Sequence, residues 1–255
     1  MRQLCLILIA CFSLEAAAQV TPATKQLNYH TQAWYSLNST FRFSEQWGMV
    51  GDFHVRKEGA WGQDRFYLLR FGAVHWIQGK YPVILGVARL WLAPPEGLNT
   101  WNIENRIYQQ WSSLSEQGRV TILSRIRVEE RWRDQIVNDQ VVGPKQFSLR
   151  LRYLASFQVK VFNQSSMPEL VASDEVMVQF GSSIVYNTFD QNRLFLGIRF
   201  PIGKNLSMDT GYMNVLQQRT TGNAYDLSNV FRVFLYWSVD YSALGKDRRL
   251  HENAD

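Results

Sequence analysis

A chain of 255 residues with a formal charge of +5 and a pI near 9.2 would suit nucleic acid in a cytoplasmic protein. Its first residues argue against that compartment, because Met1-Arg2, the apolar run 4–12 and Ala16-Ala17-Ala18-Gln19 have the three parts of a secretory leader. The expected partners of the basic surface are therefore outer-membrane lipid, lipopolysaccharide and small anionic solutes, with no nucleic acid. Both cysteines, Cys5 and Cys11, fall in the leader, which excludes disulfide scaffolds, thiol nucleophiles and cysteine-based metal sites from the mature chain.

Cleavage is expected after Ala18, giving a signal peptide over 1–18. The apolar run is much shorter than the roughly 20 residues of a spanning helix. An alternative takes Leu8-Ile9-Ala10-Cys11 as a lipoprotein processing site with lipid on Cys11. Either way the chain is exported. The remainder reads as one domain over 19–239, followed by a polar tail over 240–255 that carries Lys246, Asp247, Arg248, Arg249 and Glu252 and is expected to be a disordered periplasmic extension.

No later segment holds an apolar run long enough for a transmembrane helix, and none shows sustained 3.6-residue periodicity. Period-two alternation recurs instead, in segments of about 9–11 residues, the length of a tilted membrane strand. Strands are predicted to begin near 27 and 46, around the turn Ser44-Glu45-Gln46. Segments 66–78 and 83–92 follow, alternating less cleanly. Ile103, Ile107 and Trp111 oppose Glu104, Arg106 and Gln110. Val120, Ile122, Ile126, Val128 and Trp132 then alternate with Arg119, Arg125, Arg127, Glu129, Arg131 and Arg133, with Glu130 the one charge on the apolar side.

The clearest case is 147–161. Phe147, Leu149, Leu151, Tyr153, Phe157 and Val159 share one face, and Ser148, Arg150, Arg152, Gln158 and Lys160 the other. Further strands begin near 174, 193, 206 and 228, with Leu194, Leu196, Ile198 and Phe200 against Arg193 and Arg199.

Connections alternate in length. Short turns fall at 44–46, 79–82, 115–118 and 203–205. Longer polar loops fall near 57–64, 93–100, 134–146, 187–192 and 219–227. Trp47, Trp76 and Trp111 approach the short turns, and Trp91, Trp101 and Trp132 the long loops, as two aromatic girdles would require. The fold class predicted is an all-β, closed antiparallel transmembrane β-barrel. About eleven strands are counted, but single-chain bacterial barrels carry even numbers, so ten or twelve are expected, with twelve favoured. A soluble periplasmic β-sandwich binding an apolar ligand is the alternative architecture, and it needs the apolar face turned inward.

Trp34-Tyr35-Ser36-Leu37, Phe43-Ser44-Glu45-Gln46-Trp47, Arg152-Tyr153, Asn192-Arg193-Leu194 and the turn Phe200-Pro201-Ile202-Gly203-Lys204-Asn205-Leu206 resemble a family of outer-membrane β-barrels catalogued as domain of unknown function 2490. The resemblance implies the barrel fold and an outer-membrane location, and a barrel inserted there is expected to meet the barrel-assembly machinery during insertion. It supplies no activity.

Two polar constellations stand out. Folding about 113–119 places Glu104 near Arg127 and Arg106 near Arg125. Folding about 134–146 sets Glu129 beside Arg150 and Arg152. With Arg131, these form an arginine-rich ladder with too few carboxylates. It reads either as a structural ladder, at about 0.2–1 kcal/mol per cross-strand pair, or as the lining of a small anion-favouring pore, open or plugged. In the second constellation, Asp52 and His54 share a face, and the 44–46 turn brings Ser36 opposite His54. A hydroxyl, an imidazole and a carboxylate are the ingredients of an outer-membrane acyl hydrolase, although no glycine-flanked serine elbow accompanies them. His30, His75 and His251 have no metal-ligand spacing, and no cofactor is expected.

Overall fold

The computed structural model describes residues 24–164 and 166–242. The expected leader, its cleavage position and the tail from 243 onward lie outside these residues. Within them the chain forms strands β1 (Gln26–Arg42), β2 (Trp47–Glu58), β3 (Asp64–Ile77), β4 (Tyr81–Leu92), β5 (Asn102–Gln117) and β6 (Val120–Arg133). A two-residue pair, β7 (Ile136–Val137) and β8 (Gln140–Val141), precedes β9 (Gln146–Lys160), β10 (Glu169–Phe180), β11 (Phe189–Pro201), β12 (Leu206–Gln218) and β13 (Ala224–Asp240). All but β7 and β8 close into one barrel of eleven strands, in the order β1-β13-β12-β11-β10-β9-β6-β5-β4-β3-β2.

The closure corrects the expected twelve antiparallel strands. β1 and β13 run parallel, in register from Gln26↔Ala224 to Arg42↔Asp240. A parallel pair satisfies backbone groups as an antiparallel pair does, so an odd count closes the sheet without an edge. Parity then fixes only where the ends emerge. Gln26 starts beside Ala224 at the rim of the long loops, and Asp240 ends beside Arg42 at the opposite rim.

Local chemistry sets the turns. Gln117 pairs with Val120, leaving the two-residue turn Gly118-Arg119, and Gly118 takes a φ of 62° that glycine adopts without a Cβ penalty. This turn shifts the hairpin away from the expected pairing. Glu104 lies opposite Arg133, Arg106 opposite Arg131 and Gln110 opposite Arg127, because the strands run on through Ser115-Glu116-Gln117. In the 134–145 loop, Asn138 and Asp139 both adopt positive φ, 51° and 60°, as a mirror-image two-residue hairpin requires. The Asp139 carboxylate then accepts the backbone N–H groups of Asn99 and Thr100, which ties two rim loops together and holds its pKa below the ordinary aspartate value.

Side chains alternate in and out of the wall as strand geometry demands. In β4, Leu85 is 61% exposed and Ile84 only 7%. Leu151, Phe157 and Leu196 also point outward and are exposed, which overturns the sandwich alternative on both counts, since the sheet is a closed barrel and its apolar face is the outer one. Aromatic pairs ring the outside at both ends: Phe41–Trp237 and Tyr81–Trp111 near the short turns, Tyr67–Trp101 and Trp132–Phe147 near the long loops. Trp76 departs from the expected girdle. It faces inward and packs on Val50, Val74, Ile84 and Tyr108.

That inner cluster depends on glycine. Tyr108, almost fully buried, lies across Gly72 and Gly86 of the neighbouring strands. A Cβ at Gly86 would stand 2.5 Å from Tyr108 Cε1, and one at Gly72 would stand 2.6 Å from its hydroxyl. Gly86→Val should therefore expel the ring and cost about 1–3 kcal/mol of overpacking. The expected result is a lower temperature for the heat-induced mobility shift of the detergent-folded barrel on electrophoresis. An unchanged shift temperature would mean that the Tyr108 cluster does not depend on these glycines.

Candidate functional site

The lumen is lined on the β5-β6-β9-β10-β11 wall by charged side chains that these strands point inward. Glu104 and Arg106 of β5, Arg127, Glu129 and Arg131 of β6, and Arg150 and Arg152 of β9 are all buried, and Arg125 is half-buried. The ladder inferred from sequence is thus on one face, and Glu129 lies opposite Arg150 as expected.

Each carboxylate is shared. Glu104 accepts from Arg106 Nε at 2.5 Å, Arg131 Nε at 2.9 Å and Arg133 Nε at 2.6 Å. Glu129 accepts from Arg150 Nε at 2.8 Å and Arg152 Nη1 at 2.7 Å, with Arg106 Nη1 at 3.4 Å and Arg127 Nη1 at 3.8 Å.

Two carboxylates missing from the sequence-level ladder complete it. Glu175 of β10 binds Arg152 at 2.7 Å and Arg125 at 2.6 Å, and Asp190 of β11 accepts from Arg150 at 2.9 Å. Glu175 sits in a strand whose lumen face, Val171, Ser173, Glu175, Met177 and Gln179, mixes apolar with polar side chains, so its alternation is weak. Asp190 was expected in a loop, because β11 begins at Phe189, earlier than its clear alternation. The lumen also holds Arg56, Arg70 and Arg193. Arg70 donates to Asp52 at 2.5 Å.

A cavity of about 1250 Å³ runs down this interior. Its mouth, at the long-loop rim, includes Pro94, Pro95, Glu96, Ser183 and Thr220, and it descends to Leu123, Ser156 and Tyr236. Among the described residues no member of the short turns at the other rim lines it. Toward that end the Tyr108 cluster packs on one wall. On the other, Arg199 grips buried Asp209 with two bonds of 2.6 and 2.8 Å, and Arg232 donates to Tyr236 at 2.7 Å. Trp34, Val171, Phe195, Met213, Val215 and Val230 form a second inward cluster, part of which lines the cavity.

The Ser36, His54 and Asp52 set shares the lumen face, and Ser36 pairs with His54 in register, but it is not assembled as a relay. Ser36 Oγ accepts from Asn38 at 2.8 Å, His54 Nε2 makes no hydrogen bond, the His54 ring meets Phe234 edge-on at 5.6 Å, and Asp52 is held by Arg70. Neither the hydroxyl–imidazole nor the imidazole–carboxylate bond of such a relay is formed in this arrangement. Among the described residues no group of three His, Cys, Asp or Glu side chains could hold a metal ion.

Residues 31–226 match the profile of a family described as "Protein of unknown function (DUF2490)". No curated protein matches the chain. Among solved structures, the β domain of the Bordetella autotransporter Brka is similar over 66% of this chain and 76% of that one, with 14% identity and a TM-score of 0.41.

Proposed function

We propose, on the premise that this chain belongs to the DUF2490 family of proteins of unknown function, that it is an integral outer-membrane β-barrel whose lumen is a blind, arginine-lined vestibule for small anions. The observation that carries this reading is the inverted polarity of the wall, with aliphatic and aromatic side chains outside, ion pairs inside, and a cavity open at one rim. Apolar surface left in water is unfavourable by about 25 cal/mol per Å², and hydrocarbon around the barrel removes that penalty. A closed sheet also leaves no unpaired edge for lipid to face. Barrel strands of 12–17 residues exceed the span of roughly 9–11 residues that a bilayer needs, so they reach beyond it at the rims.

Solute would enter between the longer loops and meet guanidinium groups that outnumber carboxylates. It would stop above the packed floor. Insertion of purified protein into a planar bilayer should give no steady current, and liposomes carrying it should not swell in small sugars. A steady anion-selective current would turn the vestibule into a pore. Recovery of the folded protein from an aqueous extract without detergent would remove the membrane from the account.

A further inference from the structure

Arg56 is the lumen cation that the ion-pair ladder does not reach. It lies on β2 opposite Trp34 of β1 and Phe66 of β3, with its guanidinium 3.3 Å from one ring centroid and 3.9 Å from the other. Aromatic faces attract a cation without neutralising it. Among the described residues Arg56 has no hydrogen-bond or carboxylate partner. Arg193, Arg106, Arg152 and Arg150 line the lumen on the strands across from it. All five line the same vestibule.

Arg193 is the nearest of these in function. Its guanidinium lies 5.0 Å from the same Trp34 ring. Its carboxylate contact is Glu175 at 3.4 Å, and Glu175 is already taken at shorter range by Arg152 and Arg125. A guanidinium crowded by other guanidiniums in a narrow lumen needs a counter-charge. The ladder offers none in reach of Arg56.

We infer that Arg56 and Arg193, gathered on the Trp34 ring, form a binding site for a phosphorylated solute. Guanidinium forks match the oxygens of phosphate two at a time, and a phosphoester presents oxygens in several directions, so one group can meet both forks. A monocarboxylate has one plane and one charge, too little for the excess here. The volume of about 1250 Å³ leaves room for the rest of the solute.

The inference rests on the reading of the lumen as a blind vestibule, and its test is separate from the conductance measurement. Inorganic pyrophosphate, titrated calorimetrically into the detergent-folded full chain, should bind at one site per barrel, and acetate at the same ionic strength should not. R56Q should weaken pyrophosphate at least tenfold, as should R193Q, which keeps the test open if R56Q does not fold. R89Q, which removes an outward-facing charge beside Trp91, should leave the affinity unchanged. No heat of binding by a folded, non-conducting barrel would overturn the site and spare the vestibule. Equal weakening by R89Q would reduce the effect to net charge and overturn it too. Binding through Arg56 in a barrel that conducts would keep the site and overturn the blind floor.

Discussion

Glu129→Ala is expected to be the most damaging single truncation in the barrel, costing about 3–5 kcal/mol, the range for breaking a buried ion pair from one side. The cost comes from what stays behind. Arg150 and Arg152 lose their shortest contacts, and Arg106 and Arg127 their weaker ones, so a cluster already rich in guanidinium groups keeps its charge without the carboxylate at its centre. Asp190 still holds Arg150 by one bond, and Glu175 still accepts from Nε and Nη2 of Arg152. This limits the loss at those two residues and leaves Arg127 with Gln110 and the Tyr108 ring, without a carboxylate. Urea titration of the barrel in detergent or vesicles should show the folded fraction collapsing at lower denaturant. Glu129→Gln should recover part of the loss by keeping an acceptor. A variant as stable as the parent would mean that the ladder is solvated and makes no net contribution.

Leu85→Arg carries the second large expectation, about 2–4 kcal/mol, the cost of a basic side chain facing lipid at mid-depth in a membrane barrel. Leu85 is 61% exposed and lies near the middle of β4, beside Ala73 of β3 and Gln109 of β5. On a surface facing water the same exchange would change stability by no more than about 0.5 kcal/mol. Refolding into lipid vesicles, followed by the mobility shift on electrophoresis, separates the two outcomes. A neutral effect in vesicles would place the outer face in water and overturn the membrane assignment.

Several features of the site were legible because they are local. The alternation from Phe147 onward became β9 with Arg150 and Arg152 inside, and the short turn after Phe43 brought Ser36 opposite His54. The Glu104 pairing was misjudged because a hairpin's register depends on the residues that make its turn, and Gly118-Arg119 closes later than the midpoint of the polar stretch. Glu175 and Asp190 escaped notice for a different reason. β10 has a mixed inner face, with fully buried Met177 between Glu175 and Gln179 and with Val171 in the cluster of Trp34 and Phe195, and amphipathicity fades wherever inward side chains are apolar.

By itself the sequence determined which side of the wall each residue takes, since neighbouring Cβ atoms in a strand point to opposite faces whatever the strand pairs with. Tertiary structure alone decided that eleven strands close through a parallel seam, that the cavity opens at the long-loop rim, and that Arg56 has no carboxylate partner among the described residues. Closure depends on how every pairing register adds up around the ring, and the lumen brings β2 within electrostatic range of β9 and β11, strands far away in the chain. No periodicity along a single strand encodes either.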